Sequence, residues 1–271
     1  MTPLLEGKVA VVTGGAGGIG LGISEAFVQH GATVAIVDVD EDRLGLAVGR
    51  LNPGSAIAAD VRHADTPDRV VRAVLDRHGR IDVLVNNVGH FLHRPKPFES
   101  TTDEEWEALY AVNLQHVLRM TRAVLPAMIG ADRGGSIINM STVEAFRGIP
   151  QHPVYAAFKA GVTQFGRSLA LQVGRHGIRV NDIAPDVTRS EQLPYDRWLT
   201  DDERARIPTW VPLGRLGDPS DVAGTAVFLA SDLGAFVTGT TIHCDGGTRA
   251  AGGWYPTTRG GGGWTNRPFD P

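Results

Sequence analysis

The sequence predicts a doubly wound α/β fold, a single parallel sheet covered by helices on both faces. Three observations predict it. Short β-branched runs alternate with segments of helical periodicity, and the strands read as nearly unbroken apolar stretches. A glycine-rich turn also follows the first strand, where a β-to-α crossover needs a tight bend.

Residues 8–14 (KVAVVTG) form a buried strand entering that turn, and 18–30 carry apolar positions at helical spacing until Gly31 stops them. The run ATVAIVD at 32–38 completes a βαβ unit. The alternation continues with a strand at 55–59, a helix at 66–78 and the strand IDVLVNN at 81–87. A long helix is expected over 102–129, a strand at 136–140, a helix over 153–176 and the strand IRVNDIA ending at Pro185. A helix at 218–231 and a strand at 240–244 close the pattern. No linker interrupts these units, so 1–250 reads as one domain.

Two segments break the rhythm. Residues 186–216 carry Pro194, Pro208 and Pro212 with Tyr195, Trp198 and Trp210, which reads as a substrate lid or, in the alternative, a plain surface excursion. The tail 251–271 combines glycine with Trp254, Tyr255, Trp264 and Phe269. Glycine suggests a loose end, whereas large aromatics suggest docking over a pocket or a neighbouring subunit.

Composition excludes several classes. With 42% hydrophobic and 21% charged residues the chain is ordinary globular protein, and no apolar run is long enough for a membrane helix. The N-terminus lacks a signal-peptide pattern, and Cys244 is the only cysteine, so a cytoplasmic protein without an internal disulfide is expected. A net charge of -4 gives no basic field for nucleic acid. His90, His93 and His152 lack the spacing of a ligand set, so no metal is expected.

The turn TGGAGGIG at 13–20 fits two glycine spacings, Gly15, Gly17 and Gly20 or Gly14, Gly18 and Gly20. In both, missing side chains let the backbone approach a pyrophosphate at the positive end of a helix. Asp38 closes the second strand, where a carboxylate accepts both ribose hydroxyls of adenosine and repels a 2′-phosphate. This favours NAD over NADP; the alternative for Asp38 is an N-cap of the following helix.

Tyr155 and Lys159 stand four residues apart in YAAFK and share a helix face. Lysine occurs only at 8, 96 and 159, in a chain that otherwise uses arginine. A phenol is a sluggish base at neutral pH, but an adjacent ammonium stabilises phenolate. Tyr155 could then exchange the proton of a substrate hydroxyl while hydride moves at carbon. A packing tyrosine beside a solvated lysine is the alternative.

These motifs, with NNVG at 86–89, INMST at 138–142, RVNDIAP at 179–185 and TGTTIHCDGG at 238–247, resemble the short-chain dehydrogenase/reductase family in order over nearly all of residues 7–247. The resemblance implies a Rossmann-like fold and reversible alcohol/ketone oxidoreduction. Tyr155 would be the acid/base, Lys159 would also hold the nicotinamide ribose, and Asn113 would position a relay water. Thr142 stands where the family usually has serine, with Ser141 as fallback. The implied dinucleotide site comprises Gly14, Gly17, Gly18, Ile19, Gly20, Asp38, Asp60, Val61, Asn87, Gly89, Tyr155, Lys159, Pro185 and Thr188. Gly17 lies where NADP-binding members often carry a basic residue, which again favours NAD.

Glu144, Phe146, Gln151, His152 and Trp198 are expected to line the substrate pocket. Their aromatics suggest a substrate with an apolar body, such as a cyclic or steroid-like alcohol. The resemblance shows departures: Val88 stands where alanine is usual, a packing change, while Asp186 for the usual glycine and Thr188 for the usual isoleucine make the nicotinamide end more polar here. The resemblance also implies a homotetramer through the helices at 102–129 and 153–176. An NADP-dependent carbonyl reductase and a catalytically silent nucleotide sensor are the alternative functions.

Overall fold

The computed structural model describes residues 3–52, 54–92 and 94–253, together with the backbone of 255–256 and 264–265. In chain order the main elements are β1 (Val9–Thr13), α1 (Gly18–Gln29), β2 (Thr33–Asp38), α2 (Glu41–Val48), β3 (Gly54–Ala58), α3 (Thr66–His78) and β4 (Val83–Asn86). Next come α4 (Asp103–Tyr110), α5 (His116–Ala131), β5 (Gly135–Met140), α6 (Pro153–Val173) and β6 (Ile178–Pro185). The short helices α7 (Tyr195–Trp198) and α8 (Asp201–Ala205) precede α9 (Pro219–Ala230), β7 (Thr241–Cys244) and α10 (Thr248–Ala251).

The strands pair in the order β3-β2-β1-β4-β5-β6-β7, and every pair is parallel. Alternate residues of each strand feed opposite faces, as the pleat requires. Ala10, Val12, Ile36 and Ile183 pack with Ile23 and Phe27 of α1 and Val222 and Ala226 of α9. Val11, Val37, Leu84 and Ile137 pack with Val70 and Val74 of α3, Met120 and Val124 of α5, and Leu169 of α6. Both faces are therefore buried, which is why the strands carry no polar alternation. Strand order reverses between β1 and β4, so the loops after them diverge and open a crevice at the carboxyl edge.

The long helix expected over 102–129 is interrupted. Between α4 and α5, Ala111–Gln115 forms a π-helical turn centred on Asn113. A polar ladder crosses the middle of the sheet on paired positions: Asn86 Nδ2 donates to Asn139 Oδ1 at 2.9 Å, and Asn139 Nδ2 donates to Asp182 Oδ1 at 3.0 Å. Thr241 Oγ1 completes it by donating to Asp182 Oδ2 at 3.4 Å. Burial pushes the Asp182 carboxyl up to about 7.

The segment 186–216 has its own small core of Val187, Ile207, Val211 and Leu216, with Tyr195 and Leu199 against it. Two-residue strands at Tyr255–Pro256 and Trp264–Thr265 pair antiparallel. The tail side chains, Trp254 and Phe269 among them, and His93 lie outside the described residues. Among the described residues no helix is long and apolar enough to cross a membrane. Likewise, no group of three or more His, Cys, Asp or Glu residues there could hold a metal ion.

Candidate active site

Two cavities lie side by side along the carboxyl edge of the sheet. The larger, about 500 Å³, is lined by Gly14, Gly17, Gly18, Asp38, Asp60 and Val61. The second, about 340 Å³, is lined by Thr142, Glu144, Tyr155, Lys159, Pro185 and Thr188. Ile19, Asn87 and Gly89 border both, so the two form one groove over the strand-order reversal.

The glycine turn is shaped by close backbone approach. A Cβ on Gly20 would collide with the Gly14 carbonyl oxygen, and Gly14 itself has φ +62°. Gly20 therefore supports the turn from below, whereas Gly14, Gly17 and Gly18 face the cavity. Asp38 is not the N-cap of α2, because Asp40 takes that place by accepting from Arg43 N at 3.0 Å. Asp38 instead accepts from Ala16 N at 3.2 Å and Val39 N at 2.8 Å, tying the turn to the end of β2. The cationic side chains lining this cavity are both paired. Arg43 meets Asp40 at 3.1 Å and Glu191 at 3.6 Å, and Arg62 meets Asp60 at 2.6 Å.

At the other end, α6 presents Tyr155 and Lys159 on one buried face. Tyr155 and Thr142 line the same cavity, and Thr142 Oγ1 accepts from Glu144 N at 3.3 Å. Ser141 points elsewhere, its hydroxyl donating to the Lys159 carbonyl at 3.4 Å. Lys159 Nζ donates to the Met140 carbonyl at 2.9 Å and sits 5.9 Å from the centre of the Tyr155 ring. Burial brings the Lys159 ammonium down to about 8. Burial also raises the Tyr155 phenol above its ordinary value, the nearby Thr142 hydroxyl opposes this, and the Glu144 charge adds to it.

Asn113 lies behind the groove rather than in it. Its Nδ2 donates to the carbonyls of His90 (2.9 Å) and Leu109 (3.0 Å), and its Oδ1 accepts from His90 N (3.1 Å). The side chain thereby ties the π-turn to the loop after β4. His116 assists: fully buried, it is driven down to about 3 by desolvation and by the Lys159 charge, and its Nε2–H donates to the Val88 carbonyl at 3.0 Å. Gly89 then leaves room for Lys159, since a Cβ there would stand 2.5 Å from Nζ.

Of the residues expected at the substrate, Glu144 and His152 line the inner cavity, and three others do not. Phe146 turns away, its ring 4.7 Å from that of His243 and 5.0 Å beneath the Arg249 guanidinium. Gln151, held at φ +65°, borders a small cavity on the far side of Phe91. Trp198 is 58% exposed on α7. Phe91, not singled out from the sequence, lines the inner cavity, as do Ser190, Gln192, Leu193 and Tyr195 of the 186–216 segment, of which the sequence singles out only Tyr195. Four come from the irregular segment after β6, where no periodicity marks which residues turn inward.

The polar departure after Pro185 has a structural basis. Asp186 accepts from Arg147 Nη2 at 2.7 Å and from Thr248 Oγ1 at 2.5 Å, and its Oδ1 accepts from Val187 N at 2.9 Å. The anchored carboxylate accompanies Val187 at φ +38°, a strained conformation for a β-branched residue. Thr188 Oγ1 donates to the Asp186 carbonyl at 2.9 Å.

The family described as enoyl-(acyl carrier protein) reductase matches residues 14–249. The chain belongs to the short-chain dehydrogenase/reductase family. Among its short-chain dehydrogenase relatives, sorbitol dehydrogenase of Cereibacter sphaeroides is 38% identical over 252 residues, 90% of this chain and 98% of that protein. The 3-oxoacyl-(acyl-carrier-protein) reductase FabG of Vibrio harveyi is 38% identical over 244 residues, again 90% and 98% of the two chains. The crystal structure of 3-ketoacyl-(acyl-carrier-protein) reductase from Brucella melitensis complexed with NADH superposes with a TM-score of 0.82 at 33% identity, covering 90% of this chain and 99% of that one. The protein is therefore a short-chain oxidoreductase for alcohol- or ketone-type substrates.

Proposed function

We propose that the protein transfers hydride between NAD and a secondary alcohol or ketone, with Tyr155 exchanging the proton. The observation that carries this reading is the meeting of Tyr155, Thr142 and Lys159 in one end of a groove whose other end is the glycine turn. The groove fits a dinucleotide: Gly17 and Gly18 leave the turn bare, and Asp38 faces the adenosine end. NAD is favoured over NADP because Arg43 and Arg62, which line that end, are already neutralised by carboxylates. The bound dinucleotide supplies or accepts the hydride.

The chain's own residues handle the proton and the substrate oxygen. Burial keeps Tyr155 protonated, which prepares it to donate to a carbonyl oxygen in the reducing direction. The Thr142 hydroxyl, which lines the same cavity as the phenol, positions that oxygen. Lys159 supports the loop carrying Gly89 and is placed to hold the nicotinamide ribose. Phe91, Ile149 and Leu193 together with Glu144, His152 and Gln192 line this cavity and suit a substrate with both apolar and hydroxylated parts.

The test pairs a panel of secondary alcohols, polyols and ketones with Tyr155→Phe. Turnover falling at least about 100-fold with NADH affinity unchanged supports the assignment. Undiminished turnover overturns it, and cofactor binding without turnover on any substrate favours a nucleotide sensor. A homotetramer is part of the proposal, supported by Ile129 on α5 and Leu171 on α6, both apolar and exposed; sedimentation as a monomer would refute it.

A further inference from the structure

The turn at 190–193 crosses the groove between the two cavities, with Ser190 and Gln192 bordering both. Leu193 N donates to Ser190 Oγ at 3.1 Å, which tightens the turn. It is fastened at two points. With its amide oriented to suit its neighbours, Gln192 donates through Nε2 to the Gly89 carbonyl at 3.1 Å, and its Oε1 accepts from Phe91 N at 3.3 Å. Glu191 reaches the opposite way and lays its carboxylate over the glycine turn. A Cβ on Gly17 would meet Glu191 Oε1 at 3.0 Å, and one on Gly18 would meet Oε2 at 3.0 Å. Arg43 Nη1, 3.6 Å from Oε1, holds the carboxylate there.

We infer that Glu191 is an internal anion lying across the phosphate cradle, which the dinucleotide must displace in order to bind. This rests on the reading of the glycine turn as a pyrophosphate site. Two arguments carry it. The bare glycines at the start of α1 favour negative charge, and Glu191 already supplies one. A pyrophosphate entering the same space brings further negative charge within a few ångströms of a carboxylate, and only part of that repulsion is screened at a half-exposed position. Withdrawal of Glu191 breaks its contact with Arg43 and strains the Gln192 bonds to Gly89 and Phe91. Because Ser190, Gln192 and Leu193 also wall the inner cavity, cofactor entry reshapes the substrate end. Glu191 therefore lowers cofactor affinity and links it to the position of the strap.

The experiment compares NADH and adenosine binding to the full-length protein and to Glu191→Gln and Glu191→Ala by calorimetry and stopped-flow fluorescence. Both substitutions should tighten NADH about tenfold, mainly through a faster association rate, and added salt should narrow the difference. Adenosine, which has no phosphate, should bind all three proteins equally. Equal or weaker NADH binding by both variants overturns the displacement, as does an equal gain for adenosine. Failure of all three proteins to bind NADH or NADPH would instead defeat the dinucleotide reading on which the inference stands.

Discussion

Lys159 Nζ lies 5.9 Å from the centre of the Tyr155 ring but directs its hydrogen bond to the Met140 carbonyl, 2.9 Å away. The ammonium is thus anchored to the end of β5 and packed against Gly89, which makes its position depend on three segments distant in sequence.

Gly89→Ala tests that dependence. The new Cβ would stand 2.5 Å from Nζ and 3.2 Å from Cε, so the lysine must move. Turnover should fall about tenfold or more, since sub-ångström displacement of a positioning group is costly. The melting temperature should drop only a few degrees, because the flexible end of one side chain yields rather than backbone.

Asp182→Asn should remove a pH dependence of stability. The buried carboxyl is raised from 3.8 to about 7, so the folded state holds its proton where the unfolded state releases it. Stability from this group is full below about pH 4 and is lost as pH rises to about 7, on the order of 4 kcal/mol. Asn139, Thr241 and the more distant Arg167 oppose the shift without cancelling it. Denaturant titrations at pH 5 and pH 8 should differ less in the asparagine variant, with the gain at pH 8.

Asp38→Ala should relax cofactor choice. The carboxylate lines the larger cavity beside the glycine turn, and under the proposed function its removal takes away both a hydroxyl acceptor and a repulsive charge. NADH should weaken about tenfold while NADPH strengthens, read as dissociation constants. Parallel weakening of both would place Asp38 in the architecture of the turn alone.

Gly20→Ala should fail for a purely structural reason. Its Cβ would overlap the Gly14 carbonyl, and backbone cannot step aside as a side chain can. A loss of about 3 kcal/mol or more is expected in urea unfolding.

What could be read from the sequence divides along physical lines. The sheet, the glycine turn, Asp38 and the Tyr155–Lys159 face are encoded in spacing, which strand and helix geometry convert directly into proximity. Helix boundaries were legible to within a few residues, except that nothing announced the π-turn at Asn113. The substrate end was harder because its wall comes from irregular chain. Phe146 is diverted by His243 and Arg249, contacts between residues about a hundred positions apart. Trp198 is large and apolar yet stays exposed, so size alone was a poor guide. Ser190 and Gln192 reach the groove through one tight turn whose course no periodicity foretells.

The π-turn has a consequence for how freely this chain can change. One additional residue in a turn rotates everything after it by about 100° around the helix axis. Met120, Val124 and Met128 of α5, all buried in the core, follow that turn. Deleting a residue from 111–115 would restore regular bonding locally and swing this apolar stripe toward solvent. The irregularity beside Lys159 is locked in by the packing downstream of it, so smoothing this helix would pull Met120, Val124 and Met128 out of the core before it touched the chemistry.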